Sequence, residues 1–232
     1  MATPNHRQEN QRVYILHTYP FKETSLIAEV FTEKFGRIPV VAKGARRPRS
    51  SIRGMLQSFQ VLLANWSGKS ELKSLNGLEW CEKLTILEGD ALMCGFYLNE
   101  LMMRLLPRDE PHPDLFHFYH ETILALSEGR ELTITLRRFE LKLLQALGYA
   151  VTLDHDEDSN PIIPDKIYRY EAEYGACDLT KTDHGIKVLG KTLLDMASDQ
   201  YVDKETQQQS KQLMRYLLGF YLGDKPLHSK QL

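Results

Sequence analysis

Cysteine is scarce in this sequence, long apolar runs are missing, and acidic residues vanish altogether from one basic stretch. The 3 cysteines, Cys81, Cys94 and Cys177, are far apart and never form Cys-x-x-Cys, which disfavours both a disulfide framework and a zinc ribbon. The most apolar segment, near Leu92–Leu106, is interrupted by Asn99, Glu100 and Arg104, so it is too short and too polar to span a bilayer. Met1 to Arg12 is polar and lacks the apolar core of a secretory signal, which makes a reducing cytoplasm the expected compartment and a membrane an unexpected partner. Catalytic signatures are missing as well. There is no G-x-S-x-G elbow and no H-E-x-x-H, and the 8 histidines are scattered without a carboxylate partner at ligand spacing. The expectation is a non-enzymatic protein without catalytic residues, metal or cofactor.

Charge supplies the strongest positive signal. Between Lys34 and Arg53 stand seven basic residues (Lys34, Arg37, Lys43, Arg46, Arg47, Arg49 and Arg53) and no Asp or Glu, in a chain of 29 basic and 31 acidic residues. Concentrated positive charge is the footprint of a surface that meets phosphates. Residues 1–80 hold 12 Lys and Arg against 6 Asp and Glu, a net of +6, whereas residues 81–232 hold 17 against 25, a net of −8. Halves of opposite sign imply two modules with different partners. Gly44 and Pro48 interrupt the basic stretch and predict a mobile cationic loop rather than a helix or central strand.

The hydrophobic period changes near residue 80. Before it, Val13–Leu16, Ser25–Thr32, Arg37–Ala42, Phe59–Leu63 and Glu71–Leu75 read as short strands, with Glu33-Lys34-Phe35-Gly36 as a hairpin turn. Such strands without a helical repeat suit a small barrel or sandwich. After it, the spacing predicts helices over 90–106, 114–127, 135–147 and 204–221, with a strand-like, irregular insert at about 150–190. The expected fold is α+β: a small β domain over 1–80, then an all-α helical domain over 81–232 that carries the insert.

Four motifs remain to be weighed. Tyr14, Tyr19, Phe21, Phe35, Phe59 and Trp66 share the strand module with the basic loop, and a cationic groove with aromatic platforms binds single-stranded nucleic acid. Most of these rings must serve the core; Trp66, among polar neighbours in an expected turn, is the best candidate for an exposed platform. Gly185–Thr192 matches G-x-x-x-x-G-K-[ST], but its middle residues read as a strand and only about two helical turns follow it, so a nucleotide-binding loop is the weaker alternative. Asp154–Asp158 reads as an exposed acidic loop rather than a metal site. Arg137 and Arg138 on an amphipathic helix are either surface residues or an anchor for an acidic peptide.

Several segments resemble the bacterial recombination mediator family RecO: Glu23-Thr24-Ser25-Leu26, Phe31-Thr32-Glu33, Gly36-Arg37, Val41–Arg46, Tyr97–Leu101, Leu136–Leu141, Leu147-Gly148-Tyr149 and the tail Tyr221–Lys230. They follow the family's order over nearly the whole chain. The resemblance implies an OB barrel followed by a helical domain, binding of single- and double-stranded DNA, and annealing of complementary strands near the nucleoid. Implied partners are RecR, the acidic tail of the single-strand binding protein SSB, and RecA indirectly. By position it implies that Arg37 and the Lys43–Arg53 loop face DNA, with Lys225 and Lys230 adding basic contacts, and that Arg137 and Arg138 take the SSB tail. Many family members hold zinc through four cysteines after Leu-Gly-Tyr; here only Cys177 lies between Tyr149 and Leu189, so zinc is not expected and packing must hold the insert. Without DNA binding, a protein-interaction module is the remaining reading.

Overall fold

A computed structural model of the chain describes residues 6–82, 85–149, 151–181, 184–223, 227 and 229. By packing, residues up to Gly129 form one unit and those from Arg130 a second.

In the first unit, β1 (Arg7–Phe21), β2 (Ser25–Thr32), β3 (Gly36–Ala42), β4 (Val61–Ser67) and β5 (Lys73–Trp80) close a barrel in the order β1-β2-β3-β5-β4. Neighbours are antiparallel except β3 and β5, which run parallel at Val40↔Lys73 and Val41↔Ser74. This is the closed five-stranded OB arrangement. Period-2 alternation sends Val13, Ile15, Ala28, Val30, Ile38 and Val40 into the interior. At the β2–β3 turn, Gly36 has φ +68°, and a Cβ there would lie 2.0 Å from the Glu110 carbonyl oxygen. Glycine is therefore required by close approach as well as by conformation.

The turn expected at Asn65–Lys69 is strand as far as Ser67. Leu62, Ala64 and Trp66 continue one inward face, and the chain reverses only after Gly68, at φ +132°. Trp66 is thus 2% exposed and packs edge-to-face on Phe35, with centroids 5.4 Å apart. Its polar neighbours are simply the outward positions of the strand.

Two helices, α1 (Gly89–Leu105) and α2 (Pro113–Ser127), complete this unit. Tyr14 and Phe31 on the outer barrel surface pack on Phe116 and Tyr119 of α2. A register shift between Ile15 and His17 makes Leu16 the extra residue of a bulge in β1. Its carbonyl accepts from Asn99 Nδ2 at 2.9 Å, while Tyr119 Oη donates to Asn99 Oδ1 at 2.5 Å. Asn99, 3% exposed, thereby satisfies a backbone group that the ladder leaves over.

The second unit holds α3 (Leu132–Ala146), a sheet of β6 (Ile167–Glu171), β7 (Gly175–Cys177) and β8 (Ile186–Leu189) in the order β7-β6-β8, then α4 (Gly190–Ala197) and α5 (Lys204–Leu222). Asp203 caps α5 by accepting from the Thr206 amide at 2.8 Å. In the insert, Tyr170 Oη donates to the Thr152 carbonyl at 2.9 Å and Tyr168 Oη accepts from the Ile163 amide at 3.0 Å. Asp156 Oδ1 accepts from the amides of Asp158 and Asn160, at 3.0 and 2.8 Å, and Lys181 pairs with Glu157 and Asp158. The acidic run is therefore occupied in building a turn. Cys177 is buried in β7, which pushes its thiol pKa up to about 12, with the Glu157 carboxylate adding to the rise. Among the described residues no three His, Cys, Asp or Glu side chains gather as a metal-binding group.

Candidate nucleic-acid interface

The β3–β4 connection carries most of the basic run. Pro20 of β1, Leu26 of β2 and Ala42 of β3 share one rung of the barrel, so Lys43 leaves the sheet beside the β1–β2 turn at Lys22–Thr24. The connection is fastened there. The Arg46 amide donates to the Thr24 carbonyl at 2.9 Å, and Arg46 Nη1 reaches the carbonyls of Lys22 and Glu23 at 3.4 and 3.3 Å.

Beyond Arg46 the backbone runs as successive turns: Arg47 N to Gly44 O at 3.0 Å, Ser50 N to Arg47 O at 3.1 Å, and Leu56 N to Ile52 O at 3.2 Å. Ala45 is fully buried, and Ile52, Met55 and Leu56 pack against the barrel core. What the sequence suggested as a mobile loop is a folded cap with an apolar underside. Burial of its aliphatic residues holds it down.

Lys43, Arg46, Arg47, Arg49 and Arg53 are all exposed. Among the described residues no carboxylate forms an ion pair with any of them. The carbonyls that hold Arg46 orient it but leave its charge uncompensated. Exposed Lys22 in the adjoining turn, its ammonium 5.3 Å from the Phe21 ring centroid, extends the patch. Lys22 lies outside the acid-free basic stretch, and its one signal in the sequence is its place in a turn between paired strands.

Arg37 does not join this surface. Its side chain is 12% exposed, Nη1 lies 2.9 Å from Glu29 Oε2, and Nε donates to the Leu106 carbonyl at 3.0 Å. Glu29, 1% exposed, also pairs with Arg108, which in turn pairs with Glu71. Arg37 is a neutralised strut between β3 and the α1–α2 connection, so its expected place facing phosphates is corrected. Trp66 is corrected for a different reason: its ring is enclosed in the barrel.

In the second unit, Arg137 and Arg138 part company. Arg137 has a side chain only 8% exposed, with Nη2 2.5 Å from buried Glu140 one turn further along α3. It is structural and unavailable to a peptide. Arg138 remains 44% exposed, with Nε 2.6 Å from Asp199 Oδ1 and the guanidinium 5.9 Å from the Tyr201 ring centroid. Lys225 and Lys230 lie outside the described residues.

The Gly185–Thr192 match has the wrong geometry for a phosphate cradle. Its middle residues are β8, and a Cβ at Gly185 or Gly190 would lie 2.2 Å from Tyr170 O or 2.0 Å from Ile163 O. Lys191 is held by Asp195 and Asp203, which raise its pKa, and its amide donates to the Pro164 carbonyl at 2.7 Å. Those glycines serve close packing, and the lysine is committed to carboxylates.

The fold and this surface define an OB-barrel protein with a folded, uncompensated cationic cap beside its β1–β2 turn, joined to a second unit of helices and a small sheet. Comparison with known proteins gives the family. The description Recombination protein O N terminal matches residues 6–84, and Recombination protein O C terminal matches residues 87–231. The chain is 52% identical over 235 residues to the DNA repair protein RecO of Nitrosospira multiformis, covering 100% of this chain and 97% of that relative. It is 46% identical to the DNA repair protein RecO of Dechloromonas aromatica, covering 97% and 94%, and 47% identical to that of Aromatoleum aromaticum, covering 97% and 95%. The chain belongs to the RecO family, whose role is in DNA repair and recombination. Among the described residues no helix is long and apolar enough to cross a membrane.

Proposed function

We propose that this protein is a non-enzymatic mediator of recombinational repair, bound to the nucleoid, that grips DNA through the β3–β4 cap and anneals complementary single strands. With RecR it helps load RecA onto DNA coated by SSB. The observation that carries this reading is the set of exposed cations at Lys43, Arg46, Arg47, Arg49 and Arg53, without carboxylate partners among the described residues. Lys or Arg side chains that meet phosphates release condensed counterions, and that release drives binding. Annealing follows from charge neutralisation: two strands that repel in solution approach when their phosphates are screened by the same protein. Of the two helix arginines, Arg138 is the one open to the acidic SSB tail, which would have to displace Asp199.

Fluorescence anisotropy of labelled oligonucleotides across salt tests the grip. Neutralising about four phosphates on a single strand gives a log–log salt slope of about −3. The triple change Arg46→Glu, Arg47→Glu, Arg49→Glu is expected to weaken binding of all sequences alike and flatten that slope, because phosphate contacts carry no base information. A wild-type response independent of salt would refute the reading. Annealing of SSB-coated complementary oligonucleotides, with and without the triple change, then tests the mediator role.

A further inference from the structure

The cationic cap accounts for phosphates but not for preference between paired and unpaired strands, and the platform suggested by the sequence, Trp66, is buried. Another aromatic stands where a platform is needed. Past the bulge in β1, Thr18 and Pro20 take one side of the strand and His17, Tyr19 and Phe21 the other. The side of Thr18 is the interior, since its cross-strand partner Ala28 lies in the core. Tyr19 therefore stands on the outer surface, 43% exposed, opposite Ile27.

Two features recommend Tyr19 over the other exposed rings of its unit. It lies three residues before Lys22, whose carbonyl receives Arg46, so at most about 10 Å of backbone separates Tyr19 from the residue that holds the guanidinium, within reach of neighbouring nucleotides. Its ring is held in place: His17 packs against it with centroids 4.5 Å apart at 64°, which lowers the entropy lost when a ligand stacks. By contrast, Phe96 stands on α1 rather than on a barrel strand, and Trp80 of β5, opposite Leu62 of β4, lies on the strand outside the β1–β2–β3 rung that the cap leaves.

We propose that Tyr19 is the base-stacking platform of this interface. An unpaired nucleobase lies against its ring while Lys22, Lys43 and the cap arginines hold the adjoining phosphates. Duplex DNA keeps its bases stacked on one another and can use the cations alone. Tyr19 thus sets the preference for single strands at a surface whose charge is indifferent to it. This inference rests on the reading of the cap as a DNA grip.

The two roles have different salt signatures. Stacking a neutral ring releases no counterions, so its loss changes affinity at every salt concentration without changing the slope. Anisotropy of a labelled oligothymidine and of a labelled duplex, measured across salt, separates them. Tyr19→Ala and Tyr19→Leu are expected to weaken single-strand binding about tenfold, within the range for loss of one stacked base, with duplex affinity and both slopes unchanged. Tyr19→Phe is expected to bind like wild type, because the ring and not the hydroxyl stacks. The Leu variant preserves bulk on the strand, so a loss shared by Ala and Leu and absent in Phe reports the ring. Single-strand affinity unchanged in both Ala and Leu variants, or an equal loss for duplex, overturns the proposal. The cap's own failure looks different: wild-type protein that binds neither probe removes both readings, whereas a sloped, charge-dependent wild type with no Tyr19 effect removes this one alone.

Discussion

Glu29 decides what its neighbours can do. Buried in β2, it takes Arg37 out of the cationic surface and holds Arg108 of the α1–α2 connection against the barrel. Removing the carboxylate would leave the Arg37 charge, 12% exposed, without compensation in a poorly solvated site. Glu29→Ala is expected to destabilise the protein by about 3 kcal/mol or more, measured as a lower urea midpoint at an unchanged m value. Tyr201 presents the opposite case. Its hydroxyl is buried without a hydrogen-bond partner among the described residues, and such a group is desolvated for no return. Tyr201→Phe keeps the ring beneath Arg138 and is expected to raise stability by about 1 kcal/mol, read as a higher thermal midpoint. By residue type alone Arg37, Arg46, Arg137 and Arg138 are alike. Their carboxylate partners, or the lack of them, are set by the fold.

Among the elements, the contrast between the β3–β4 connection and the β8–α4 junction shows how far local pattern reaches. Both carry glycine and lysine in arrangements that suggest phosphate binding. The first has Gly44 and Pro48 in a chain of turns and cations without acidic neighbours in sequence, and these properties survive folding: among the described residues no carboxylate pairs with those cations. The second matches a phosphate-loop pattern residue for residue, yet its glycines are pressed against the carbonyls of Tyr170 and Ile163. No local signal announces that contact. Element boundaries were legible to a similar degree: β2 spans Ser25–Thr32 and α5 begins at Lys204, as their alternation and helical period indicate. β4 extends through Ser67 because Leu62, Ala64 and Trp66 keep facing inward, a continuity that the polar Asn65 and Ser67 disguise. Three-residue β7 is too short to show any period.

For the molecule as a whole, burial of ionisable groups sets an alkaline limit. Burial raises Tyr14, Tyr119 and Tyr170 above the ordinary phenol value, and pushes Tyr201 and the Cys177 thiol up to about 12. The folded chain therefore keeps protons that the unfolded chain releases above the ordinary values of 9.0 for the thiol and 10.0 for the phenols. The stabilisation from their neutral forms is complete below those values and is lost as pH rises from there towards 12. Each pH unit past a group's ordinary value removes about 1.4 kcal/mol for that group. Urea midpoints are expected to be level near pH 8 and to fall steeply between pH 10 and 11; a flat profile would contradict the burial. The division of charge operates at this scale too. The excess of +6 over residues 1–80 attracts polyanions from a distance, while contact with phosphates is left to the cap.

By itself the amino-acid order determined the two periodicities, the acid-free basic run, the hairpin at Gly36 and membership in the RecO family. Each is a local pattern or a sum of local patterns. Only the tertiary structure decided which cations are open and which rings are exposed, because those outcomes depend on partners remote along the chain. Glu29 meets Arg108 across 79 positions and Asn99 meets Leu16 across 83. Trp66 is enclosed because the barrel closes around it, and Tyr19 is left outside because the bulge at Leu16 sets the facing of the strand beyond it.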